Sequence, residues 1–312
     1  MPTVTVDSAK RALLDHLIDD AGLFPPAALS MRDALRHHAR HAESAYAYVD
    51  GAFVVPASRL GELADRRDPS RALTLSIILD AAALGAKGDV VRADLQRLTH
   101  AALDGVTVTS VELRTPSPLD TAGLSRAIAA VAEHFPGQTV AFYYESAYNA
   151  GWPVPPAVTF AMLAEAKAAA PAGVTVGAKL RCGGQTPGAI PSVDDVAAFI
   201  VAAQEHGIAW KATAGLHHPV RGVYAGEMQH GFLNLFIAAA TLHAGALDAA
   251  RVAAVLAEED PRALVVDPLH VAWRDVTIDA AAVAAAREHA VSFGSCSFDE
   301  PVNGLRDLGI LL

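Results

Sequence analysis

The run Val174-Thr175-Val176-Gly177-Ala178-Lys179-Leu180-Arg181, a helical stretch over 192–206, and the run Ile208-Ala209-Trp210-Lys211-Ala212-Thr213 decide the fold. Two short apolar strands separated by a helix make a βαβ unit, whose strands lie parallel. The alternation continues in both directions. Towards the N-terminus, helix 156–170 follows strand 139–145, helix 119–134 follows strand 108–114, and helix 89–103 follows strand 73–79. Helix 58–66 follows Phe53-Val54-Val55-Pro56, a strand cut off by proline. Before it come a helix over 28–45, a short extended piece at Ala21-Gly22-Leu23-Phe24, and a first helix over 8–20. Towards the C-terminus, helices around 230–243 and 248–257 lead to a hairpin over 263–266 and 270–274. Helix 279–289 then feeds a last strand over 290–298.

Counting 21–24, this gives eight strands, each joined to the next by helical sequence. The expectation is one α/β domain over 1–312, a (β/α)8 barrel of the TIM type. It carries an N-terminal helix and a helical and hairpin insertion before the last strand. An open doubly wound sheet is the runner-up, but no Gly-rich dinucleotide fingerprint follows an early strand.

The chain has 312 residues, of which 52% are apolar and 19% charged. That balance excludes intrinsic disorder. A net charge of −10 argues against a nucleic-acid backbone as partner, while leaving room for a local basic pocket. Two distant cysteines, Cys182 and Cys296, are neither a disulfide framework nor a zinc ribbon, and point to the cytoplasm. Met1 to Asp7 lacks the basic and apolar runs of a signal peptide. The Ala-rich stretch 232–250 comes nearest to a membrane span, but Asn234, Thr241, His243 and Asp248 interrupt it, so a buried helix is expected. No membrane partner is expected, and the acidic, Ala-rich surface allows a homodimer.

Strand side chains two apart share a face, and barrel chemistry sits at the C-terminal strand ends. Four consecutive strands end in polar residues at that spacing: Glu112 with Arg114, Tyr143 with Glu145, Lys179 with Arg181, and Lys211 with Thr213. Buried charge is costly unless paired. These residues therefore either form a salt-bridge network or line one site. As a site, four cations against Glu112 and Glu145 make a positive pocket, suited to a small anionic metabolite bearing phosphate or carboxylate. Lys211 lies between Trp210 and Ala212, where desolvation and the nearby Lys179 are expected to depress its pKa. A neutral amine there attacks a carbonyl to form a Schiff base; otherwise it pairs with Glu145 or an anion.

Lys211-Ala212-Thr213-Ala214-Gly215 resembles the Lys-x-Thr-x-Gly strand of the deoxyribose-phosphate aldolases. The resemblance covers five residues. It implies a (β/α)8 fold, a Schiff base on Lys211, and Thr213-Ala214-Gly215 as the adjoining turn. The family's second lysine lies on the strand after the Schiff-base strand, whereas Lys179 lies on the strand before, and the excursion over 216–289 has no counterpart.

Other residues frame the same mouth. His217 and His218 follow Gly215-Leu216 and are candidate acid/base or substrate-binding groups. Gly183 and Gly184, after Arg181, and Gly294 with Ser295, in the last strand, can offer backbone N–H groups to an anion. Cys296 reads as a structural thiol, while Arg181 beside Cys182 favours thiolate there. Asp20 reads as capping a turn, and His37, His38 and His41 read as a solvated helix face.

The expected activity is that of an aldolase-type lyase on a small anionic carbonyl compound. Lys211 is nucleophile, Lys179 the second amine, and Glu145 or Tyr143 the proton carrier. Arg114 and Arg181 grip the anion, and no cofactor or metal is required. The alternatives are a metal-dependent hydrolase or isomerase using Glu112, Glu145 and His217, and a non-catalytic small-molecule binding barrel.

Overall fold

A computed structural model describes residues 8–80, 88–101, 105–115, 121–146, 148, 150–184 and 188–312. Eight parallel strands close into a barrel: β1 (Ile18–Asp20), β2 (Asp50–Pro56), β3 (Leu73–Leu79), β4 (Val106–Thr115), β5 (Val140–Ser146), β6 (Val174–Arg181), β7 (Ala209–Thr213) and β13 (Ala290–Ser295). The strands neighbour one another in that order, and β13 closes on β1. Helices α2 (Met31–Ala42), α3 (Leu60–Arg66), α4 (Gly88–Ala101), α5 (Thr121–His134), α6 (Pro156–Ala168) and α7 (Val193–Glu205) join consecutive strands. The chain is thus a (β/α)8 barrel. Met1 to Asp7, read above for targeting, lie outside the described residues, as do the expected ends of the helices over 89–103 and 119–134.

The insertion before the last strand is confirmed and is richer than expected. A small hairpin, β8 (Gly222–Tyr224) with β9 (Glu227–Gln229), precedes α8 (Phe232–His243) and α9 (Val252–Leu256). The expected hairpin gains a third strand, making the antiparallel sheet β10 (Leu264–Val266), β11 (His270–Trp273) and β12 (Val276–Asp279). Helix α10 (Ala280–Arg287) leads back to β13, and α11 (Asp299–Asp307) follows where the last strand had been expected to run to Phe298. Among the described residues no helix is long and apolar enough to cross a membrane; α8, the apolar stretch, is buried.

The first strand is not at 21–24. Helix α1 (Ala9–Leu14) ends early, His16 takes a left-handed conformation at φ 48°, and β1 forms at Ile18–Asp20. Leu17 and Ile18, read as a helical stripe, are instead buried in the core. The shift decides which acid faces inward. Asp19 points into the barrel and Asp20 out towards α2, because neighbours on a strand face opposite ways.

The outward faces carry the hydrophobic core. Phe160, Phe199, Trp210, Phe236, Phe293 and Phe232 form a chain of ring contacts, with centroids 4.9 to 6.1 Å apart, joining β7 and β13 to α6, α7 and α8. Inward positions are small or polar: Ala52, Ser76, Ser110, Gly177 and Ser292. Gly177 has no room for a methyl, since a Cβ there would stand 2.5 Å from the Tyr143 ring. Near the N-terminal strand ends the Arg287 guanidinium donates to the carbonyls of Ala290 and Val291, and to that of Asp15 at 2.9 Å.

Candidate functional site

Inside the barrel, acids and bases alternate in one connected chain. Asp19 Oδ2 lies 2.8 Å from Lys211 Nζ. Lys211 also donates to Glu112 Oε1 at 2.7 Å and to Ser76 Oγ at 3.2 Å. Lys179 binds the other Glu112 oxygen, Oε2, and stands 3.5 Å from Glu145 Oε2. Arg181 Nε donates to Glu145 Oε1 at 2.7 Å, and Arg114 Nε lies 3.3 Å from the same atom. Hydroxyls fill the gaps. Ser76 donates to Glu112 Oε1 at 2.6 Å and touches Ser110 Oγ at 2.7 Å. Ser292 Oγ donates to Asp19 Oδ2 at 2.8 Å, and the Ala52 N–H to Asp19 Oδ1 at 2.9 Å.

Depth grades along this chain. Asp19, Glu112, Glu145, Lys179 and Lys211 are buried. Arg181 and Arg114, at the C-terminal ends of their strands, keep 23% and 46% of their side-chain surface in solvent. The two guanidiniums are therefore the part of the network a solute meets first.

The polar residues read from the four strand ends are brought together as expected, with one addition and one reversal. Asp19 is the addition. Three carboxylates now balance Lys179, Lys211 and Arg181, leaving Arg114 as the surplus cation, so the interior is less positive than the sequence suggested. The reversal concerns Lys211. Burial works to lower its pKa, but the charges of Asp19 and Glu112 outweigh burial and raise it above its ordinary value. Glu112 is the counterpart. Burial favours its neutral form, yet the two lysines hold its pKa well below the usual carboxylate range. Tyr143 lies under Lys211, with the ammonium 5.5 Å from its ring centroid. Burial, helped by Asp19 and Glu112 and opposed by Lys211, pushes its phenol up to about 12, so it is a protonated donor at neutral pH.

Neither a family model nor a curated protein matches the chain. The assignment of its site accordingly rests on geometry.

Several other expected contacts are arranged differently. Gly183 and Gly215 pack backbone against backbone, so that a Cβ on Gly183 would stand 2.7 Å from Gly215 Cα, and Cys182 N donates to Thr213 O at 2.9 Å. A Cβ on Gly184 would stand 2.8 Å from that of Ala189. Close packing of two strand-end turns explains these glycines without a bound anion. Ala214 and Gly215 are both left-handed, so Lys211-to-Gly215 does end in a tight turn. Gly294 pairs with Asp19 and Thr213 across the sheet. Ser295 Oγ donates to Ser297 O at 2.6 Å and so serves its own turn.

His217 Nδ1 lies 2.8 Å from Glu300 Oε2, and His218 stacks on Tyr224 with ring centroids 3.4 Å apart. Among the described residues Glu112, Glu145 and His217 do not converge as metal donors. Cys182 is fully buried, and burial raises its thiol pKa despite Arg181, so the thiolate reading fails.

A second polar cluster lies outside the barrel wall, where the sequence predicts a solvated helix face. His38 and His41 are not on a solvated face: their side chains are 13% and 6% exposed. They point from α2 onto the outer faces of β1 and β2, against Asp20 and Asp50. In β2 three steps, Asp50 to Phe53, oppose two in β1, Ile18 to Asp20. This bulge turns Asp50 to the same face as Phe53. Burial pushes the Asp50 carboxyl up to about 6, with the nearby Asp20 and Asp19 adding to the effect and His38 and His41 opposing it. The available signal was i, i+3 spacing of His38 and His41, but it required knowing that Asp20 lies on a strand.

Proposed function

We propose that the chain is an aldolase-type lyase that breaks and forms a carbon–carbon bond in a small carbonyl compound bearing phosphate or carboxylate, through a lysine Schiff base. The observation that carries the reading is that Lys179 and Lys211, on neighbouring strands, hold opposite oxygens of one buried carboxylate, Glu112, beneath two arginines. Such a pair keeps one amine charged while the other is made neutral.

The geometry favours dividing the roles in a particular way. Lys211 has three acceptors, Asp19, Glu112 and Ser76, for its three N–H bonds, and its pKa is raised. It suits the lasting cation. Lys179 has Glu112 and a longer contact to Glu145, and suits the nucleophile in place of Lys211.

Arg114 and Arg181 would take the substrate anion. In doing so they let go of Glu145, which then accepts a proton from Lys179. The neutral amine adds to the carbonyl carbon. The carbonyl oxygen leaves as water with two protons, one of them returned by Glu145, and a protonated imine remains. A carboxylate takes the proton of the substrate's β-hydroxyl as the carbon–carbon bond breaks, and that bond's electron pair moves onto the imine to give an enamine. Protonation of the enamine by the carboxylic acid formed in that step, and hydrolysis by water, return the free lysine.

Borohydride trapping tests the reading. The chain is incubated with pyruvate and with dihydroxyacetone phosphate, reduced, and read by intact and peptide mass. A stable adduct on Lys179, absent from Lys179→Ala, is expected. An adduct on Lys211 instead would reverse the roles. No adduct with either probe, under conditions that trap a control aldolase, would set the lyase aside. The second reading, a binding barrel without turnover, is favoured by the near balance of the interior charges. It would show saturable binding of the same anions with Lys179→Ala unaffected.

A further inference from the structure

We propose that Asp20, Asp50 and His41, with His38 beside them, form a site for a divalent transition metal of the zinc type, lying between the barrel wall and α2. Asp20 Oδ1 accepts from the Gly22 N–H at 3.1 Å, which leaves Oδ2 facing the histidines. His41 Nδ1 stands 3.3 Å from that oxygen and His38 Nδ1 3.5 Å. His38 Nδ1 stands 3.3 Å from Asp50 Oδ2. Asp20, His41 and Asp50 each bring a donor atom within 4.8 Å of the others.

Three features separate this cluster from an ordinary ion-pair network. The first is that its atoms are buried without hydrogen bonds. Asp20 Oδ2, His38 Nδ1, His41 Nδ1 and Asp50 Oδ1 all lack a partner, although Asp20, His41 and Asp50 are each more than nine-tenths buried. Buried polar atoms are almost always satisfied, and four orphans in one cluster ask for a partner. The second is spacing. Hydrogen bonds of this kind run at about 2.7–2.9 Å. Zinc bonds to nitrogen and oxygen of about 2.0–2.1 Å put neighbouring donors roughly 3.3–3.4 Å apart, close to the 3.3 Å between His41 Nδ1 and Asp20 Oδ2. The third is charge. Two carboxylates stand out of water with imidazoles as their close partners, and one divalent cation cancels the charge of both.

A donor set that includes imidazole suits zinc better than magnesium or calcium, which take oxygen. The outer nitrogen of His41, Nε2, faces Asp299 Oδ1 at 3.8 Å and Arg40 Nη2 at 3.4 Å, and His41 stacks on Phe298 at 4.4 Å. The site's consequence is positional. β1 has only three residues; its outer face offers Asp20 to the metal, and one residue back its inner face offers Asp19 to Lys211. A metal on Asp20 thus pins the strand that sets the interior charge chain, however that chain is used.

Zinc binding to the untagged, chelator-stripped full chain is the test. Competition against a chromophoric chelator is expected to give one zinc per chain at sub-micromolar affinity, weakened at least 100-fold in Asp50→Asn and in His41→Gln, with a zinc-dependent rise in Tm only in the wild type. X-ray absorption of the zinc-loaded wild type needs no variant. It is expected to show four nitrogen or oxygen neighbours with imidazole scattering. A wild type that binds no zinc below millimolar concentration, a sulfur neighbour, or unchanged affinity in both folded variants would overturn the site.

Discussion

Asp19 Oδ2 stands 2.8 Å from Lys211 Nζ, joining the first barrel strand to the seventh past the closing strand between them. Asp19 also accepts from the Ala52 N–H and from Ser292, so one side chain ties four strands. Asp19→Ala is expected to cost about 3–5 kcal/mol, the range for removing one partner of a buried pair. Urea unfolding measures it, and a loss under about 1 kcal/mol would mean that Glu112 alone satisfies Lys211.

Glu112 links that pair to Lys179, and its folded-state pKa lies below the unfolded value of about 4.3. A depressed carboxylate adds stability that is complete above the unfolded pKa and is lost as pH falls through the carboxylate range towards the folded value. The gap in urea stability between wild type and Glu112→Gln is therefore expected to narrow as pH drops from about 6 to about 3. A gap constant over that range would show that the ionised carboxylate is not what the lysines need.

Gly183 and Gly61 make opposite forecasts from the same substitution. A methyl on Gly183 meets the Gly215 backbone at 2.7 Å, which cannot swing away, so Gly183→Ala is expected to destabilise by about 1–3 kcal/mol. Gly61 sits in α3 with nothing within 4 Å of the added carbon. Gly61→Ala is expected to stabilise by up to about 1 kcal/mol through helix propensity. Melting temperatures of the two variants decide, and equal shifts would contradict the packing described at the strand-end turns.

The two cysteines are expected to differ in native alkylation. Cys182 is fully buried and Cys296 only partly so, and burial raises the pKa of both. Limited iodoacetamide treatment followed by peptide mass analysis should label Cys296 first and leave Cys182 untouched until the chain unfolds. Early labelling of Cys182 would mean that the β6–β7 turns open readily.

Much of the barrel is legible in the chain. The strands at 73–79 and 174–181 match their sequence bounds, because one is a mostly apolar run and the other alternates apolar with polar or small residues, each between helical spacings. The inward polar residues Glu112, Tyr143, Glu145, Lys179 and Lys211 follow from strand period alone. β1 was misplaced because a three-residue strand is too short to show a period, and Leu17 with Ile18 extends the apolar stripe of α1. The sheet β10–β11–β12 was read as two strands because Val276–Asp279 runs straight into α10.

That strand and helix alternate eight times, and that charge is concentrated at four strand ends, is written in the chain, since both depend on residues near one another. Tertiary structure alone decided who pairs with whom. Asp19 neutralises Lys211, and His38 and His41 face Asp20 and Asp50 instead of water, because barrel closure and a bulge in β2 bring together residues from distant parts of the chain. The direction of the Lys211 pKa follows from the same cause: burial can be read from its apolar neighbours, but the carboxylates that outweigh it come from other strands.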